Sequence, residues 1–325
     1  MRKSNIIAIL VALGCAIALP WAAQAMGLPA TIALATRILI YAMAAASLNL
    51  ALGYGGMVSF GHAAFFGLGG YVVGIFYQNF TQSTLLFGFI PGTNELAVTL
   101  LVAMFVGALS ASIIGALSLR TSGVQFIMIT LAFAQMLYFL FVSLKAYGGD
   151  DGLIVRRRNV FAGLNTRDDT VFYFIVLGFV VIFYALLARI VASPFGQVLS
   201  GIRQNSRRME ALGYNVFSYK LTALILSGMG TAMAGALMAN YARFVSPDML
   251  HWTKSGELMV MVILGGTGTL TGPLLGAMAL VVLETTMAGL TENWQLGLGL
   301  ILLAVVLYTK GGLVGLFTYL RGRFA

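Results

Sequence analysis

The chain has 325 residues, 60% hydrophobic and 9% charged, with a formal net charge of +9. A mean hydropathy of +0.94 leaves too little polar surface to cover a water-soluble globule, and at about 20 apolar residues per span there is room for roughly eight to ten transmembrane helices. The apolar runs are continuous rather than alternating, which excludes a barrel. The basic residues sit at span ends without aromatic interleaving, which speaks against nucleic acid, and one cysteine, Cys15, makes no disulfide framework or cysteine metal site.

These features predict an all-α integral membrane protein, a polytopic helix bundle forming a single transmembrane domain over residues 1–325. Residues 1–27 carry Arg2 and Lys3, an apolar run and Ala23-Gln24-Ala25, a pattern that fits a first span or a cleaved signal-like segment. A span over about 30–52 follows. It contains Arg37, near enough to its outer end for the guanidinium to snorkel outward, with a role in a translocation path as the alternative. The next window, LNLALGYGGMVSFGHAAFFGLGGYVVGI, is dense in glycine. Such density allows close helix approach or a broken helix whose free backbone groups line a cavity. A break over 53–61 is expected, with Asn49, Gly53, Gly56, Ser59, Gly61 and His62 as candidate path or break residues. His62 has no metal-ligating neighbour and is read as a packing and hydrogen-bonding histidine.

Spans over about 96–118 and 124–144 come next, the second carrying Gln125, Thr130, Gln135 and Ser143 as interhelical glue or as the wall of a path. An outer loop, 145–169, holds Arg156, Arg157 and Arg158, with a charged external partner as their candidate contact. A span over about 171–191 leads to residues 193–220, a basic stretch with Arg203, Arg207, Arg208 and Lys220 against one acid, Glu210. Positive loops stay cytoplasmic: this assignment puts eleven Lys and Arg inside and seven outside, which with Arg37 makes the 19 present. Val198, Leu199 and Ile202 share one helical face, and Met209 and Leu212 another, with Ser206 as N-cap and Gly213 as C′ stop. Two short helices of this kind suit docking onto a soluble partner, and a basic loop lying on lipid headgroups is the alternative.

After a span over about 219–241, residues 257–284 are apolar but interrupted at Gly265, Gly266, Gly268, Gly272 and Pro273. With a final span at 294–317 ending inside, the 257–291 segment must enter and leave on the outer face. Two short membrane segments meeting at the break satisfy that parity. Glu284 sits either near the outer interface or against a buried partner such as an arginine. There is no GxxxxGK[ST] loop, no HExxH, no CxxC and no nucleophile elbow, so an enzyme is the losing class, with no cofactor and no metal expected.

Three windows together resemble the permease subunits of branched-chain amino acid ABC importers, of the LivM type: LNLALGYGGMVSFGHAAFFGLGGY (48–71), SPFGQVLSGIRQNSRRMEALGYNVFSYKLTALILSGMGTAMAGAL (193–237) and LGGTGTLTGPLLGAMALVVLE (264–284). YGGDDGL (147–153) falls where that family carries a Gly-Gly-x-x-Gly-Leu outer loop. The resemblance implies a multi-pass protein of the bacterial inner membrane. It would be paired with a second homologous permease subunit, two cytoplasmic ATP-binding subunits and a periplasmic substrate-binding protein, with ATP hydrolysed only by the partners. It implies a coupling loop of Ser193, Pro194, Phe195, Gly196, Arg203, Met209, Glu210, Ala211, Leu212 and Gly213, in which Glu210-Ala211-Leu212-Gly213 is similar to an EAA signature. On that reading Met209 and Leu212 enter an ATPase groove, and Arg203 or Arg207 supplies rim charge. Branched-chain or other hydrophobic amino acids are the expected substrates. Urea or a short amide is the alternative within the type, and an ATP-independent channel or carrier the alternative outside it.

Overall fold

The computed structural model describes residues 3–86, 90–289, 296–297, 299–300, 303 and 311–315; more than half of the span expected at 294–317 lies outside them. Its helices are α1 (Lys3–Ala25), α2 (Ala30–Asn49), α3 (His62–Gln82), α4 (Leu96–Ser118), α5 (Val124–Ser143), α6 (Asp169–Ala192), α7 (Pro194–Gln204), α8 (Ser206–Ala211), α9 (Val216–Ala242), α10 (Trp252–Gly265) and α11 (Gly272–Ala288). Four two-residue strands form two antiparallel ladders, β1 (Leu85–Leu86) with β2 (Ile90–Pro91) and β3 (Leu153–Ile154) with β4 (Phe244–Val245). Among the described residues, five helical stretches are long and apolar enough to cross a membrane: Ala30–Tyr54, Leu96–Ser118, Val124–Ser143, Asp169–Ala192 and Val216–Ala242.

The helices sort by what covers them. The most apolar window of α9 is 67% buried and that of the α2 stretch 61%, whereas that of α5 is 22%, so α2 and α9 lie central and α5 peripheral. Along α4 the residues Leu101, Phe105, Leu109 and Ile113 stay exposed at three-to-four spacing, an apolar stripe that lipid covers without cost. At the centre small residues let backbones touch. A Cβ at Gly69 of α3 would lie 1.9 Å from the Ala232 carbonyl oxygen of α9, and one at Gly235 would lie 1.8 Å from that of Phe66. The signal-like first segment is a helix packed along α6: Tyr173 donates to the Ala16 carbonyl at 2.7 Å, and Trp21 meets Phe174 at 5.5 Å between centroids.

The short helices α10 and α11 span about 21 and 26 Å at 1.5 Å per residue, less than the ~30 Å hydrocarbon core. Contacts along α2 fix their direction. Glu284 meets Arg37, while Gly268 and Thr269 meet Asn49, so α11 runs antiparallel to α2 and returns the chain to the end from which α10 entered. The entry-and-return geometry required by parity is therefore present. The end of the bundle opposite the α10 entry carries residues 55–56, 119–123, 193–215 and 266–271, and is called here the loop end.

Two interior charges differ from the sequence expectation. Arg37 does not snorkel: its Nη2 donates to both carboxylate oxygens of Glu284 at 2.9 Å, and the guanidinium lies 5.6 Å from the Tyr41 ring centroid. A fixed carboxylate on the neighbouring helix outcompetes the interface. Arg158 is likewise not a surface group. It is buried, donates to Asp169 Oδ1 at 2.6 Å and to the Thr166 and Asn240 carbonyls at 3.2 and 3.3 Å, and lies 4.5 Å over the Phe172 ring. It ties the 145–168 loop to α6 and α9, which leaves only Arg156 and Arg157 of the triple arginine exposed.

Candidate translocation and coupling site

Both expected breaks are present. The first begins where α2 widens into a π-turn, Leu50–Tyr54; the Gly55 and Gly56 amides still bond back to the Leu50 and Leu52 carbonyls at 3.2 and 3.1 Å, and residues 57–61 lie outside any helix. Gly56 has φ +68°, so the chain reverses there at a position that disfavours a side chain. From Gly55 to Phe60 burial alternates, with Gly55, Met57 and Ser59 covered and Gly56, Val58 and Phe60 at least partly open. Met57 anchors the covered side in a cluster with Leu50, Leu199 and Leu224. Ser59 accepts from the Gly61 amide at 3.2 Å, just before α3 starts at His62. Phe60 is held on three sides: its amide donates to Thr130 of α5 at 3.2 Å, its carbonyl accepts from Ser255 of α10 at 2.6 Å, and its ring tilts against Trp252. Thr130 thus acts as glue.

His62 is fully buried, and Nε2 lies 2.7 Å from Ser227 Oγ. The Ser227 hydroxyl hydrogen is directed to the Ser47 carbonyl, so Nε2 must carry the proton and donate. One imidazole therefore joins α3, α9 and α2.

The second break joins α10 to α11 between Gly265 and Gly272. Gly265 and Gly272 pack backbone to backbone, and Gly266 turns the chain with its amide on the Val262 carbonyl at 3.0 Å. The two breaks then meet. Asn49 accepts from the Gly268 amide at 3.0 Å and donates to the Thr269 carbonyl at 2.8 Å, satisfying two backbone groups that the interruption frees. A Cβ at Gly53 would lie 2.5 Å from the Gly268 nitrogen. Asn49→Leu should therefore orphan both groups at about 1–3 kcal/mol each, read as a lowered unfolding temperature in detergent; an unchanged melting curve would show that the junction does not depend on this side chain.

The loop between α6 and α9 folds less symmetrically than its pattern suggested. Helix α7 buries Gly196, Leu199 and Ile202 against the bundle, so its apolar face is used within this chain. Ser193 donates to the Ile190 carbonyl at 2.6 Å and ends α6, Pro194 opens α7, and Phe195 stacks on Tyr219 at 5.5 Å. The N-cap of α8 is Asn205, not Ser206: its Oδ1 accepts from the Arg208 amide at 3.0 Å, a task its longer amide side chain reaches one residue earlier. Met209 is packed onto Gly201 rather than projecting. Glu210 is exposed and Ala211 closes α8. Gly213, at φ +88°, completes a Schellman stop, with its amide on Glu210 at 2.9 Å and that of Tyr214 on Met209 at 3.1 Å. Leu212, at 65% exposure, is left as the protruding apolar side chain.

The expected rim charge Arg203 is exposed but is also bound to its own chain, because Gly56 leaves room for its stem and the Gly53 carbonyl offers an acceptor; Nη1 donates to that oxygen. Arg203, Arg207 and Lys220 line a cavity of about 370 Å³ together with Gly55 and Gly56. Sequence spacing could not reveal the junction of Asn49 with 268–269, since more than 200 residues separate the partners.

Comparison with known proteins agrees with this architecture. The sequence model of the family described as branched-chain amino acid transport system, permease component, matches residues 30–308. The chain belongs to this family. It is 24% identical over 308 residues to the high-affinity branched-chain amino acid transport system permease protein LivM of Escherichia coli (strain K12), covering 87% of this chain and 70% of that one. It is also 24% identical over 287 residues to the probable branched-chain amino acid transport permease protein LivM of Methanocaldococcus jannaschii, with 80% and 82% covered. A tyrosine transport system permease protein of Clostridioides difficile is 33% identical over 75 residues, 23% of this chain and 25% of that one. No solved structure matches. The protein is thus a multi-pass membrane permease of LivM type, a family of transport subunits.

Proposed function

We propose that this permease carries branched-chain or other hydrophobic amino acids across the bacterial inner membrane as one subunit of an ATP-driven importer. The observation that carries the reading is the meeting of two interrupted helices with each other and with the basic loop. Non-helical backbone at membrane depth is tolerated only against protein or water. The half-open face of residues 56, 58 and 60, continued by Trp252 and Ile263 of α10, therefore belongs to a path shared with a second permease subunit rather than to lipid. Net positive charge places the loop end in the cytoplasm. There Leu212, with Tyr214 and Phe217 partly exposed beside it, offers an apolar knob to a cytoplasmic ATP-binding subunit, with Arg207 and Arg208 at its rim. A periplasmic binding protein delivers substrate at the opposite end. ATP binding then moves the loops and shifts the path between outward and inward states.

The test is Leu212→Asp in the native host. Leu212 touches little of its own chain, so folding should change by no more than about 0.5 kcal/mol. Co-purification of two P-loop ATPases in mild detergent should be lost, and uptake of labelled leucine should fall by at least about tenfold. Leucine flux through vesicles holding the permease without ATPases or ATP would overturn the importer reading in favour of a channel or carrier.

A further inference from the structure

Arg203 stands in the last turn of α7 and, although much of the side chain is exposed, extends its guanidinium to the first break. Its Nη1 hydrogen-bonds the Gly53 carbonyl, in the π-turn that ends α2, where exposed carbonyls form the negative end of the helix dipole. Its aliphatic stem lies over Gly56, where a Cβ would come within 3.1 Å of Cγ. The same guanidinium borders the second break, for a Cβ at Gly268 would lie 2.8 Å from Nη1. One side chain from the loop therefore touches both interruptions. Among the described residues no carboxylate lines the cavity around it, so the Gly53 carbonyl has no anionic competitor from them. Leu199, on the same helix, shares a core cluster with Met57 and Leu50 of the first break. A displacement of α7 then moves the guanidinium and the floor of that break together.

We propose that Arg203 is the positioning residue through which the loop controls the breaks: in the present arrangement it clamps Gly53 against Gly268, closing the loop end of the path. Movement of α7 withdraws it, and the non-helical segment 56–60 becomes free to rearrange. The guanidinium suits this role because its fixed charge and forked donors reach a carbonyl across a crowded turn, which a lysine ammonium satisfies only as a point charge. The inference rests on the importer reading for what moves the loop, while the clamp itself is a property of this chain.

The experiment uses inside-out vesicles from host cells carrying the whole transport system, in a Cys15→Ser background with Val58→Cys as reporter above the clamp. The labelling rate by a membrane-impermeant maleimide is measured without nucleotide. Arg203→Ala should raise it about tenfold, equivalent to about 1.4 kcal/mol and within reach of one charge-assisted hydrogen bond. Arg203→Lys should fall between the two, and Lys220→Ala, which removes another cation lining the same cavity, should leave the rate unchanged. Leucine uptake should be lost in Arg203→Ala while ATP hydrolysis persists. If Arg203→Ala does not assemble, the Lys and Gln variants carry the comparison. Equal labelling in every assembled variant, or an increase for Lys220→Ala matching that for Arg203→Ala, overturns the clamp. Wild-type uptake without ATP would instead overturn the importer reading and leave the labelling result standing.

Discussion

Gly235→Leu is expected to yield no monodisperse protein, and Gly235→Ala to lose about 3 kcal/mol of stability, the upper end for overpacking. The contact at fault is backbone against backbone. A Cβ at Gly235 falls 1.8 Å from the Phe66 carbonyl oxygen, so reaching even 3.0 Å requires α3 and α9 to part by about 1.2 Å (3.0 minus 1.8). Close-packed interiors transmit such a shift rather than absorb it. The reciprocal contact of Gly69 with Ala232 would open with it. The sign is diagnostic, because glycine to alanine within a helix ordinarily gains about 1 kcal/mol. Gly178→Ala on α6, with nothing within 4 Å of the added Cβ, is the matched control and should be neutral or stabilising. Fluorescence-detected gel filtration and melting in detergent read all three; a Gly235→Ala variant as stable as Gly178→Ala would refute the close crossing.

Glu284→Ala is expected to be the most damaging single charge removal. It leaves Arg37 at 26% side-chain exposure, in the midst of an apolar helix, without its carboxylate. Fully buried pairs lose about 3–5 kcal/mol when one partner is removed; partial exposure should reduce this to about 2–3 kcal/mol. The damage lies in the uncompensated charge more than in the lost attraction. Accordingly, the double variant Arg37→Met with Glu284→Leu should recover most of the loss, and the four melting curves form a cycle whose coupling energy measures the pair. Additive single effects would show that the two charges are independently solvated. Because Glu284 and Asn49 fasten α11 to α2 near opposite ends, the Glu284→Ala variant should also expose the α11 side of the hairpin to limited proteolysis before the rest of the bundle unfolds.

Much of this architecture was legible along the chain because the bilayer imposes one-dimensional rules. Continuous apolar runs located α4, α5 and α6 almost to the residue, and the parity of loop charges required 257–291 to enter and leave at one end. Glycine clusters at 53–61 and 265–272 identified the breaks, since that composition disfavours an uninterrupted helix. The 193–213 loop was legible as two short helices, yet which of their faces turns outward was not: Leu199 and Ile202 pack inward while Leu212 protrudes, a choice made by the space beside Met57 and Leu224.

The sequence by itself determined the solvent, the class and the family: a helix bundle in lipid, interrupted twice by glycine, with a basic loop at one end. Only the tertiary structure decided what the isolated polar groups do. Arg37 had an interface, a path and a distant carboxylate as rival destinations, and it took Glu284, 247 residues away. Arg158, which local charge marked as surface, became the buried tie of an outer loop, and Arg203 became a ligand of Gly53. Local pattern records how a residue partitions between water and lipid. Which partner satisfies a polar group withdrawn from water depends on distance in space, and that is fixed only when helices remote in sequence come together.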